Sequence, residues 1–376
     1  MAKTSMKWRE NMPWLLLCEN KESRNVFDLS NNKCYKFHIP DSFGKRCYGT
    51  GSGWILSVGL DHHIHLFNPI TAARLDLPSI HALPHQPRGE DGELPYEDPT
   101  IENQLVRDEF IHDALVAPQQ DCNDDESSLL VVVIYGLPPY NYIAVAKPGD
   151  SKWAHIEPIE GYIHEFAEAA YCPGLGLILF MTYQGTLCFW DLRLNKPLAL
   201  QPYLPSPVCF PIDYLTTKYY RKFYLVESFG NILAVLRWVD VYVVQLSEDR
   251  FVDGMGNSVS YFDKLGYNTS YFEVYKLDIH ANKWIEMDDL EDLALFVGNS
   301  PASSVTASSF KGCQGNSIYY TDDSGFEETW KCTVDELGGR DMGVYNFPEQ
   351  TTLPFYSGDD SLSSYSVPLW FHPQIN

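Results

Sequence analysis

The sequence predicts an all-β fold: a six-bladed β-propeller of four-stranded blades, closed by the C-terminal strand joining the first blade. Three observations carry the prediction. A β-rich run, a polar turn and a second β-rich run recur six times along the chain, the mark of units that bury their apolar faces only by stacking. The 24 Tyr and 20 Phe among 376 residues favour the pleated surface of strands, and 25 Gly with 24 Pro supply turn punctuation. Finally, the first repeat shows only one of its two leading strands, while "SSYSVPLWFHPQIN" (Ser363–Asn376) is a strand without partners of its own. Ring closure resolves both facts and removes an open sheet edge.

The recurring hairpins follow in order. They are "VFDLSNNKCYKFHIP" (Val26–Pro40), "HLFNPITAARLDLP" (His65–Pro78), "YIAVAKPGDSKWAHIEP" (Tyr142–Pro158), "LCFWDLRLNKPLALQP" (Leu187–Pro202) and "VYKLDIHANKWIEM" (Val274–Met287). A degenerate sixth is "WKCTVDELGGRDMGVYNFP" (Trp330–Pro348). Asp28, Asn68, Asp191 and Asp278 mark the turns, because Asx side chains bond nearby backbone and tolerate unusual dihedrals. Trp153 and Trp284 hold one repeated packing position, and Trp370 belongs to the closing strand.

A pair of β-like runs precedes most hairpins. "NMPWLLLCEN" supplies the single leading strand of the first unit, and "RCYGTGSGWILSVGL" (Arg46–Leu60) leads the second. "FIHDALVAP" with "LLVVVIYG" leads the third, and "EAAYCPGLGLILFMTY" (Glu168–Tyr183) the fourth. "KFYLVESFGNILAVLRW" (Lys222–Trp238) and "SSVTASSFKGCQGNSIYYTDD" (Ser303–Asp323) lead the last two. Residues 1–10 read as a short tail and 11–376 as one propeller domain. Polar or acidic surface insertions are expected at 81–104, 119–128 and 247–270.

The net charge of −23 opposes binding to nucleic acid or an anionic membrane and favours a basic protein partner. Nine dispersed Cys without a CxxC suit reduced, core-packed thiols in the cytoplasm or nucleus. The apolar run Trp14–Cys18 is too short for a signal-peptide core, and Leu129–Tyr135 is far too short to span a bilayer.

No cofactor, metal site or catalytic residue is expected. In "DHHIH" (Asp61–His65), a strand would place His63 and His65 on one face, but no Cys or carboxylate spacing completes a zinc site. The acids Asp288, Asp289, Glu291 and Asp292 lie on a connector without a nucleophile or phosphate loop nearby. "DGMGNS" lacks the third glycine and the helix of a phosphate loop, and "TDDSGFEE" reads as a turn rather than an EF-hand.

"FEVYKLDIHANKWIEMDDLEDLALFVGNSPASSVTAS" followed by "GCQGNSIYYTDD" resembles the most characteristic block of plant F-box-associated propellers, the kelch-like family catalogued as domain of unknown function 295. "PWLLL", "CYGTGSGWILSV", "IHLFNPITAARLDLP" and "VPLWFHP" match in the same order, so the resemblance runs along nearly the whole chain. It implies a non-enzymatic propeller that binds a protein, like the substrate-binding part of F-box ubiquitin ligase subunits. In many members an N-terminal F-box docks a Skp1-type adaptor; no F-box is visible before Asn11 here, which puts that adaptor in doubt. The alternatives are a ligase-independent regulatory or organellar member, and a propeller hydrolase. The last requires carboxylates or metal ligands converging on the central channel.

Overall fold

In the computed structural model, residues 12–20, 23–85, 99–118, 129–136, 141–156, 166–183, 185–192, 196–199, 219–252, 258–323, 341–356, 363 and 365–373 are described. Their strands form six sheets, the blades of a propeller. Blade one orders β1 (Trp14–Asn20), β2 (Ser23–Asp28) and β3 (Lys33–His38) outward from β25 (Leu369–Phe371). Blade two runs β4 (Arg46–Gly49), β5 (Ile55–Val58), β6 (Ile64–Phe67), β7 (Arg74–Asp76). Blade three runs β8 (Ile111–Pro118), β9 (Leu129–Tyr135), β10 (Tyr142–Ala146), β11 (Ala154–Ile156). Blade four runs β12 (Phe166–Cys172), β13 (Leu177–Thr182), β14 (Leu187–Asp191), β15 (Lys196–Ala199). Blade five runs β16 (Tyr219–Ser228), β17 (Asn231–Val252), β18 (Ser258–Asp278), β19 (Lys283–Glu286). The first strands β25, β4, β8, β12 and β16 touch in succession around the axis.

Six apolar clusters hold the ring, one between each pair of consecutive blades. The strand period of two explains how single strands serve two interfaces. On β8, Ala114 and Val116 pack toward blade two, and Leu115 and Ala117 toward blade four. On β16, Phe223 and Leu225 pack toward blade four, and Tyr224 and Val226 toward blade six. Strands buried on both faces therefore read as continuous apolar runs, whereas the outermost strands β3 and β7 alternate and remain largely exposed.

The tail is stitched into the head. β25 pairs antiparallel with β1, matching Trp14 to Phe371, Leu15 to Trp370 and Leu16 to Leu369. Arg24, fully buried, donates to Leu17 O at 2.6 Å and Val367 O at 2.9 Å. Trp370 Nε1 donates to Val297 O at 3.0 Å, and Ser300 Oγ donates to Trp370 O at 3.0 Å, tying blade six to blade one. Gly49 lies so close that a Cβ there would meet Ser300 Oγ at 2.3 Å and Trp370 O at 2.8 Å, which is why this position carries no side chain.

One sequence expectation needs correction. Blade six has five strands, ordered β21 (Ser303–Thr306), β20 (Leu293–Val297), β22 (Ser317–Tyr320), β23 (Gly343–Asn346), β24 (Thr351–Leu353). The leading strands β21 and β22 exist but do not pair, because β20 lies between them, antiparallel to β21 and parallel to β22. The apolar run "LALFV" wins this place by burying Ala294 to Val297 completely. The outer hairpin is β23–β24, not Trp330–Pro348, of which 330–340 lie outside the described residues.

The insertion expected at 247–270 takes a definite form in its described residues. They continue β17 and β18 as a ribbon that extends past the blade through several register shifts. Of the 81–104 insertion, Ile80–Ala82 forms a 3-10 turn and Pro99 opens α1 (Pro99–Glu109), which buries Leu105 and Val106. Residues 119–128 lie outside the described residues.

Candidate functional site: a turn rim and a polar channel

Alternating strand direction brings the first–second and third–fourth strand turns of blades two to five to one face of the ring. The third–fourth turns share a construction. Asp28 accepts from Ser30 N and Asn31 Nδ2, both at 2.8 Å. Asn68 accepts from Ile70 N at 2.9 Å and Thr71 N at 3.1 Å, and Asp278 from Ala281 N at 2.9 Å. In each case the fourth residue onward is left-handed: Asn32 (φ 55°), Ala72 (φ 59°) and Asn282 (φ 50°). Asn346 follows the same rule, accepting from Glu349 N at 3.1 Å ahead of Gln350 (φ 53°). Sequence reading missed Asn346 because the sixth hairpin was placed upstream, although "NFPEQ" before "TTL" carries the signal. Asp191 closes β14 and is buried.

Trp153 and Trp284 both precede or open an outer strand and are buried. Trp153 Nε1 donates to Pro78 O at 2.9 Å, linking blades three and two, whereas Trp284 packs with Tyr275 and Leu277.

On the same face, the β16–β17 turn holds Phe229 at φ 50° followed by Gly230 at φ 84°. Phe229 is 68% exposed. A left-handed conformation costs a β-carbon-bearing residue about 1 kcal/mol, and hairpin turns of this kind ordinarily use Asn-Gly. Leu175 in the β12–β13 turn and Ile279 in the β18–β19 turn are also exposed. The turns of blades four and five abut: Cys172, whose carbonyl receives Leu175 N at 3.2 Å, has its thiol pushed up to about 11 by burial and then by the charge of Glu227. Glu227 itself accepts from Gly230 N at 2.7 Å.

The histidines of "DHHIH" diverge. The strand begins at Ile64, and His62, at φ 60°, turns aside so that its Nδ1 lies 3.0 Å from His81 Nε2. His65 Nε2 lies 2.8 Å from Ser57 Oγ and 3.1 Å from Lys45 Nζ; burial, then Lys45 and Arg74, lowers its pKa to about 4. His63 and His65 line a cavity of about 390 Å³ with Lys45, Asp61, Arg74 and Asp76. Among the described residues no group of three His, Cys, Asp or Glu has an arrangement that suits a metal ion. The connector acids serve turns: Asp289 accepts from Asn316 Nδ2 at 3.0 Å, and Asp292 from Ser308 N at 3.0 Å.

The channel is where polar chemistry collects, and no short motif announced it. Arg237 on β17, 1% exposed, donates to Asp323 Oδ1 and Asp341 Oδ2 at 2.8 Å, to Thr269 Oγ1 at 2.7 Å and to Thr321 O at 2.8 Å. Lys222 on β16 pairs with Asp323 Oδ2 at 2.8 Å. Asp113 on β8 accepts from Ala114 N at 2.8 Å and Ala169 N at 3.1 Å, yet burial raises its pKa to about 6. Glu168 on β12 is pushed well above the usual carboxylate range by burial, then by the charge of Asp113, with Lys222 opposing and Asp323 adding. "TDDSGFEE", read as a plain turn, thus supplies Asp323 as an ion-pair partner; its residues 324–328 and residues 253–257 of "DGMGNS" lie outside the described residues.

Comparison with known proteins agrees with the ring. The profile of the KIB1-4 beta-propeller family matches residues 26–346. An F-box protein of Arabidopsis thaliana is 31% identical over 192 residues, 50% of this chain and 49% of that protein. The chain therefore spans about half the length of that relative. A putative F-box protein of the same plant is 22% identical over 343 residues, 83% of this chain and 72% of its own. Among solved structures, the GH74 enzyme of Niastella koreensis aligns over 73% of this chain and 36% of its own, at 10% identity and a TM-score of 0.36. A likeness at that score carries no argument.

Proposed function

Since the chain belongs to the KIB1-4 beta-propeller family, we propose that it is a non-enzymatic protein-recognition propeller that grips a basic partner with the turn rim of blades four and five. One observation supports this most: Phe229 stands 68% exposed on a left-handed turn residue, where Asn would cost less. Leu175 and Ile279 are exposed on turns of the same face, and an exposed aromatic with apolar groups on one face suits the anchor of an interface. Glu227 and the overall charge of −23 complement a basic surface and hasten encounter. In an F-box-containing assembly such a rim would choose the protein to be modified. The cytoplasm or nucleus is the matching compartment, and among the described residues no helix is long and apolar enough to cross a membrane.

The test is affinity capture from source tissue with the native chain and Phe229→Asn, followed by mass spectrometry. Asn suits the left-handed turn, so the variant is expected to unfold later, by about 1 kcal/mol, while losing a reproducible set of basic proteins. A Skp1-type adaptor among the captured proteins would favour the ligase role over the ligase-independent one. An unchanged set of partners would overturn the rim assignment.

A further inference from the structure

The β5–β6 turn lies on the ring face opposite the turn rim, because β5 runs antiparallel to both β4 and β6. Beside it is the cavity of about 390 Å³ that His63 and His65 line. Lys45 Nζ stands 3.1 Å from His65 Nε2. An ammonium has only donors, so Nε2 must present its lone pair. The imidazole is neutral near pH 7, since burial, then Lys45 and Arg74, lowers its pKa to about 4. Its one proton therefore sits on Nδ1.

That Nδ1 is buried without a hydrogen-bond partner, in a residue 1% exposed. Buried N–H groups are nearly always satisfied, so this one calls for an acceptor, and His65 lines the cavity from which one can come. Lys45, partly buried in the same wall, directs one N–H to His65 and makes no ion pair among the described residues. Arg74 is committed to Asp41 and Asp76, each at 3.3 Å. Two unmet donors call for an oxygen anion. Asp61 and Asp76 line the same cavity, however, and repel a ligand that is negative throughout. Asp61 is exposed and accepts one N–H, from His63 at 3.3 Å, which leaves it able to take a cation. With two cations and two carboxylates the lining is balanced, and Ile64 and Leu77 add an apolar wall. We infer that this cavity binds a free apolar α-amino acid, whose carboxylate accepts from His65 Nδ1 and Lys45 while its ammonium meets Asp61.

Calorimetric titration of the full chain with L-leucine tests this, beside isocaproate, which lacks the ammonium, and isopentylamine, which lacks the carboxylate. Expected are one bound equivalent of leucine and affinities lower by about tenfold or more for both analogues, since each forfeits a charge-assisted contact. Lys45→Met and His65→Gln, which cannot place a donor at Nδ1, should weaken leucine by a similar factor. Nitrogen spectra of the native protein with isotope-labelled histidines need no variant to fold except for assignment: His65 should carry its proton on Nδ1, and that nitrogen should shift when leucine is added. Phe229→Asn should bind leucine like the native chain, which separates this inference from the rim assignment. The inference is overturned if leucine does not bind, if either analogue binds within about twofold of it, if both cavity variants that melt cooperatively bind within about twofold of the native chain, or if the His65 proton resides on Nε2.

Discussion

Replacing Trp370 by Ala probes ring closure directly. The indole is 1% exposed, meets the Phe296 ring edge-on at 5.0 Å and donates to Val297 O at 3.0 Å. Truncating a buried Trp to Ala costs about 3–5 kcal/mol, and leaving the Val297 carbonyl without its donor adds about 1 kcal/mol. The sum, about 5 kcal/mol, is large beside the 5–15 kcal/mol that holds a typical domain. With a urea slope of about 3 kcal/mol per molar, the unfolding midpoint falls by roughly 1.7 M. Trp370→Phe keeps most of the packing and loses the donor, so its drop should be well under half as large. Hydrogen exchange adds the location: amides of β1 and β20 should lose protection together, because Trp370 lies between blades one and six. A W370A midpoint within about 0.3 M of the native protein, corresponding to roughly 1 kcal/mol, would refute the closure argument, as would fast exchange confined to β25.

Two further outcomes follow from the channel. Arg237→Met leaves Asp323 and Asp341 buried without their guanidinium partner, at a cost of about 3–5 kcal/mol in urea unfolding; a loss below about 1 kcal/mol would show the cluster is not stabilising. Asp113 has a folded pKa of about 6 against an ordinary 3.8, so between those values the folded state holds a proton that the unfolded chain has released. Stability therefore falls as pH rises through that window, and Asp113→Asn removes Asp113's share of the fall while leaving that of Glu168. Relative to the native protein, the variant should gain up to about 3 kcal/mol between pH 3.5 and 7.5, less whatever solvent screening removes. Parallel stability curves for the two proteins would sink the assignment.

What was legible in the sequence was local chemistry. An Asx acceptor and a left-handed residue four positions on define the turns at Asp28, Asn68 and Asp278 whatever surrounds them. The orphan strand around Trp370 demanded a partner for the same local reason, an apolar run without a hairpin of its own. β20 was hidden because five apolar residues in an acidic connector have no readable period, and its parallel partner β22 lies beyond β21. The fifth-blade insertion looked like a loop because Asp, Gly and Asn punctuate it, yet the ladder continues through register shifts.

The channel was illegible for a deeper reason. Asp113 and Glu168 each stand in an apolar strand with no second carboxyl, Lys222 follows Arg221 on β16, and only ring closure brings the three strands to one axis. Both faces of such a strand are already committed to blade interfaces, so a carboxyl placed in regular alternation would be driven into a core. Asp113 nevertheless stays in phase: it alternates with Ala114, lies with Leu115 on the side toward blade four and takes the Ala169 N–H there, so backbone donors and not a free axis make its burial tolerable.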